Sequence, residues 1–226
     1  MDARTPSATP IAAPDHPSDR TPGLRRTEVV LLLSAPLVLA LGRLILVPFD
    51  DQEWDRMLSD MALNHTRNSI GWSLALVAAA LLTVAGLALV RLIPDRPRLT
   101  VPAMVGVALG WVGTAAVASG GLVMGDMANS PERAAMVGVL TGFNEGNGNT
   151  IFFVVLAGVL GNVLLVTALA RSGVASRGAA ALLGVGAVAS LIGAPGPFKP
   201  IAVSGAVLLL LAHLLILRSL SQRVEE

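Results

Sequence analysis

Residues 70–98 read IGWSLALVAAALLTVAGLALVRLIPDRPR: a long apolar stretch over 70–92, then a short loop dense in proline and arginine. A helix rises about 1.5 Å per residue, so roughly 20 apolar residues cover a hydrocarbon core of about 30 Å. The stretch meets that length. Residues 29–49, 101–125, 151–170, 179–194 and 201–217 repeat the pattern, with the fifth stretch overall (179–194) the shortest. Backbone groups in lipid must be satisfied within their own segment, so each stretch is expected to be a helix. The expected fold class is all-α: a polytopic membrane helix bundle with six transmembrane helices.

Composition agrees. Of 226 residues, 54% are hydrophobic and only 14% charged, against about 25% charged in a typical soluble domain. Aromatics make up 4%, and the apolar content is mainly Ala, Val, Leu and Gly, which suits thin helices packed through small residues. The absence of cysteine excludes disulfides, thiolate metal sites and thiol catalysis. Residues 1–26 are rich in Pro, Ser, Thr, Asp and Arg, and are expected to be a disordered tail. The first apolar run is too long for a signal peptide and is expected to be retained. The organisation is thus a tail over 1–26, a transmembrane domain over 27–218 and a second tail over 219–226.

Loop charge orients the bundle. With the N-terminus cytoplasmic, Arg4, Arg20, Arg25, Arg26, Arg91, Arg96, Arg98, Arg171, Arg177, Arg218 and Arg223 all fall inside. Only Arg56, Arg67, Arg133 and Lys199 fall outside, where the first loop instead carries Asp50, Asp51, Glu53, Asp55 and Asp60. This satisfies the positive-inside rule with N- and C-termini both cytoplasmic. The all-but-exclusive use of arginine over lysine, with abundant Ala and Gly, points to a high-GC bacterial genome and hence to the bacterial cytoplasmic (inner) membrane.

Two outer connections carry helical signals. Trp54, Met57, Leu58 and Met61 share one face of a helix, which predicts a short interfacial helix over 52–63. Ser130 with Pro131 and Glu132 reads as a helix start, continued over 134–140. The glycine and asparagine run over 142–150 is expected to break that helix before the fourth span.

Four residues are candidates for chemistry. Arg43 lies in the first span, about 10 Å below its outer end. A central arginine costs about 2.5–3.5 kcal/mol on insertion scales. Either it snorkels to Asp50, or it lines an outward-facing cavity with Asp126 or Glu145. Asp126 ends the third span, and is either solvated or a site carboxylate at membrane depth. Glu145 sits in Asn-Glu-Gly-Asn-Gly-Asn (144–149), where glycines allow close backbone approach. Asn162, inside the fourth span, is expected to form an interhelical hydrogen bond worth on the order of 1 kcal/mol.

Asp51, Glu53 and Asp55 alternate as calcium ligands do, but Arg56 stands where such a loop needs glycine, and Ala62 where it needs glutamate. No metal site and no cofactor is expected; His65 and His213 belong to opposite sides and do not suit one haem. No nucleotide-binding, nucleophile-elbow or metalloprotease motif is present, and no nucleic-acid footprint. Catalytic residues and oligomeric state are not legible.

The segments Met-Ala-Leu-Asn-His (61–65), Gly-Asp (125–126), Pro-Glu-Arg-Ala-Ala-Met (131–136) and Gly-Pro-Phe-Lys-Pro (196–200) carry a resemblance. On these the chain resembles an uncharacterised family of six-helix integral membrane proteins of high-GC bacteria. The resemblance implies the six-span topology and brings no substrate. Three function classes follow: binding or passage of a small molecule or ion through an outward-facing polar cavity, an intramembrane enzyme acting on a lipid or isoprenoid, and an accessory subunit of a larger complex. The expected partners are the bilayer and a small molecule, ion or lipid.

Overall fold

The computed structural model describes residues 24–47, 53–93, 97–193 and 199–225, without the side chains of 143–152, 154–155 and 223–225. Among the described residues the secondary structure is entirely helical: α1 (Arg26–Ile45), α2 (Trp54–Leu63), α3 (His65–Val90), α4 (Pro97–Ala128), α5 (Arg133–Ser172), α6 (Arg177–Ile192) and α7 (Lys199–Glu225). Among the described residues four helices are long and apolar enough to cross a membrane: α1, α3, α4 and α7. The apolar part of α5 over Leu156–Ser172, and α6, are shorter. Large apolar side chains such as Leu37, Leu44, Val77, Val112, Val185 and Leu211 stand exposed around the outside, the surface expected of a membrane protein.

Apart from α2, each helix packs on the next in sequence, and α7 returns to pack on α1, which closes a ring. Consecutive members run in opposite directions. One end of the ring therefore carries α2, and the other carries the start of α1 and the end of α7. Glycines set the spacing within the pairs. A Cβ at Gly42 would lie 2.9 Å from the Gly71 carbonyl, one at Gly106 2.5 Å from the Gly161 carbonyl, and one at Gly186 2.8 Å from the Gly205 carbonyl. Each contact lets two backbones meet, the source of packing energy where lipid competes equally for apolar side chains.

The short helix expected over 52–63 is present as α2, with Met57, Leu58 and Met61 buried. Arg133 ties it to the bundle: Nη2 donates to the Asp55 carbonyl and to Asp55 Oδ1, each at 2.7 Å, and to the Ser59 hydroxyl. Three expectations are corrected. The helix that carries the second apolar stretch, α3, begins at His65 rather than 70, because only Asn64 separates it from α2. The run over 142–150 does not break the chain, since α5 is continuous from Arg133 to Ser172. A glycine within a helix costs only about 1 kcal/mol, and no proline interrupts this run, so helix propagates through it from both flanks. Ser130 does not cap α5 either; its hydroxyl accepts from the Glu132 amide at 3.2 Å in the preceding turn. The break comes later, where Gly173 adopts φ 77°, and Ser176 then caps α6 by accepting from the Ala179 amide at 3.2 Å.

Candidate functional site

The site is built on the last turn of α1. Its final carbonyls have no helical partners and point toward the α2 end. Basic side chains from two neighbours take them up. Arg67 of α3 donates from Nε to the Ile45 carbonyl at 2.7 Å. Lys199, the first residue of α7, donates from Nζ to the Leu44 and Leu46 carbonyls at 2.8 and 2.6 Å. Asn68 accepts from the Val47 amide at 3.0 Å. Cations at a helix C-terminus also meet the negative end of its dipole.

Arg43 lies on this same turn and is treated differently. It is 1% exposed, and its Nε, Nη1 and Nη2 have no hydrogen-bond partner among the described residues. Its one directed contact is with an aromatic face: Cζ stands 5.6 Å from the centre of the Trp72 ring. A cation over indole gains about 2 kcal/mol when desolvated, far below the several kcal/mol lost by burying the charge. Trp72 is itself 2% exposed, and its Nε1 also lacks a partner among the described residues. The indole lies against Gly121 of α4, where any Cβ would collide with the ring. Three helices thus stack Arg43, Trp72 and Gly121 in succession.

The sequence-derived candidates do not all converge here. Asp126 is not a partner of Arg43. Its side chain is 86% exposed at the end of α4 and stands 3.8 Å from Nε2 of His65. Register explains this: Gly121, not Asp126, is the α4 residue level with Trp72, and Asp126 lies more than a turn further out. Asn162 is buried, but it does not bridge helices. Its Nδ2 donates to the Gly158 carbonyl of its own helix at 2.9 Å, and its Oδ1 has no partner among the described residues. The amide packs on Gly110 of α4, so its interhelical contact is one of shape. Asp50, the snorkelling partner considered for Arg43, and the Glu145 side chain lie outside the described residues.

Trp72, Arg67 and Lys199 were not read as site residues from the sequence. Trp72 lies seven residues into α3, about 10 Å below the helix start, whereas α1 ends at Ile45 and leaves Arg43 about 3 Å from its end rather than the roughly 10 Å expected. Starting the span at residue 70 placed Trp72 at the rim and hid its depth. No family model, no curated protein and no solved structure matches the chain.

Proposed function

We propose that this chain is a six-span protein of a bacterial cytoplasmic membrane, both termini inside, that binds a small molecule or ion at its outer half with Arg43 as the anchoring residue. The observation that carries the reading is the buried Arg43 guanidinium, unpartnered among the described residues. A charge left in that state is normally neutralised or matched, and membrane-embedded charges mark ligand or ion sites.

The orientation rests on the ends of the ring. Arg26, Arg91, Arg98, Arg171, Arg177 and Arg218 belong to the end with the termini, while Glu53, Asp55, Asp60, Asp126 and Glu132 belong to the α2 end. That division fits the positive-inside rule with α2 outside. The alternative of intramembrane acid catalysis needs a buried carboxylate, and the exposed Asp126 lends it no support.

The native chain has no cysteine, so single-cysteine variants test the topology directly. Asp60→Cys should react with a membrane-impermeant maleimide in intact spheroplasts, and Ser219→Cys only after lysis. The opposite pattern would overturn the orientation. Native mass spectrometry of the purified chain then tests the site: an adduct present in wild type and lost in Arg43→Gln supports it. Identical adducts in both would remove Arg43 from any binding role.

A further inference from the structure

The chemistry of the unmatched atoms says more than that something binds. At the α1–α3–α4 stack they are Nε, Nη1 and Nη2 of Arg43 and Nε1 of Trp72. Guanidinium and indole nitrogens are donors only; neither accepts a hydrogen bond. A cation or an apolar tail would leave them unmatched, and water, though it accepts from N–H groups, would leave the charge unbalanced. The complement that matches both the donors and the charge accepts several hydrogen bonds and is negative.

The surroundings have the same sign. Arg67 and Lys199 reach the last turn of α1, and both are met there by neutral carbonyls, so their charges remain. Among the described residues no carboxylate forms an ion pair with Arg43, Arg67 or Lys199. The guanidinium fork matches carboxylate and phosphate oxygens two at a time, which the point charge of a lysine does not. The Trp72 ring lies against the guanidinium, with Cζ 5.6 Å from its centre, and accepts no hydrogen bond from its N–H groups.

We infer that the ligand is an oxoanion, and that Arg43 supplies its charge-paired contact with Trp72 Nε1 as an additional donor. This rests on the reading of Arg43 as a binding residue given above. A phosphate reaches this site either as the headgroup of an anionic lipid or as a free anion from the outer solution; the chemistry at Arg43 is the same.

The test uses the full chain, stripped of lipid in a non-ionic detergent. Thermal unfolding is followed with added inorganic phosphate, with phosphatidylglycerol, and with uncharged diacylglycerol as the lipid control. The Arg43→Gln and Trp72→Phe variants run in parallel, the latter keeping an aromatic face but losing the indole N–H together with the second ring. Saturable stabilisation by phosphatidylglycerol but not by diacylglycerol supports a lipid headgroup, and stabilisation by phosphate supports a free anion. In either case Arg43→Gln should weaken binding about tenfold or more, and Trp72→Phe by about three- to tenfold. If neither anion stabilises the protein while native mass spectrometry still finds an Arg43-dependent adduct, the oxoanion assignment falls and the binding site stands. If there is no Arg43-dependent adduct, and Asp50→Asn or Glu145→Gln destabilises the stripped protein in a way that Arg43→Gln abolishes, the partner is an internal carboxylate. Both readings then fall.

Discussion

The two ends of the α1–α3 pair handle arginine in opposite ways. At the end with the termini, Arg91 meets Glu28 at 2.5 Å, and Glu28 also accepts from the Arg25 amide at 2.8 Å. The Arg91 side chain is 58% exposed there. Water and a carboxylate share the Arg91 charge. At the α2 end, Arg43 is 1% exposed and rests on an indole. The same residue type is a surface tie at one end and, among the described residues, an unpaired buried charge at the other. A charge that stabilises the fold can be lost with small effect, whereas a charge that the fold supports at a loss marks where the molecule is built for something else.

Mutations can break this comparison. The largest effect is expected at Gly121, whose missing Cβ makes room for Trp72. Gly121→Leu should displace the indole and destabilise the protein by about 3 kcal/mol, the upper range for overpacking, measured by thermal unfolding in detergent. An unchanged midpoint would mean that Trp72 does not sit against α4. Next is Arg43→Met in ligand-free protein. Replacing a buried ion with an apolar chain of similar volume should raise stability by about 1–4 kcal/mol. The smallest effect is expected for Glu28→Gln, which removes a pair whose arginine is largely exposed and whose glutamate is largely covered, and leaves an acceptor for the Arg25 amide; it should cost about 1 kcal/mol. A loss comparable to the change at Arg43 would erase the contrast between the two ends.

The sequence carried the helical architecture well, because hydrophobic length is a local property. The amphipathic face of α2 was legible for the same reason: Met57, Leu58 and Met61 lie one helical turn apart and bury together. The continuity of α5 was not legible. Glycine and asparagine over 142–150 signal a break locally, but their propensity is a weak penalty that long helical flanks override. At the candidate site the division is similar. Arg43 was visible as an expensive residue from its position alone. Its seat on Trp72 depends on the register of α1 against α3, which the Gly42–Gly71 contact sets through space. For Asp126 the sequence left two readings open, solvated or site carboxylate, and the structure agrees with the first: proximity to membrane depth says nothing about which face of α4 meets Trp72, and that place belongs to Gly121.

The account therefore turns on whether Arg43 is a liability without its ligand. The most direct measurement compares the thermal midpoints of wild type and Arg43→Met in lipid-stripped detergent, first without and then with a saturating phosphate or anionic lipid. The account predicts that Arg43→Met is the more stable protein when stripped, and that the oxoanion raises only the wild type, narrowing or reversing the order. Wild type more stable than Arg43→Met by several kcal/mol in the stripped state, with no response to either anion, would contradict it.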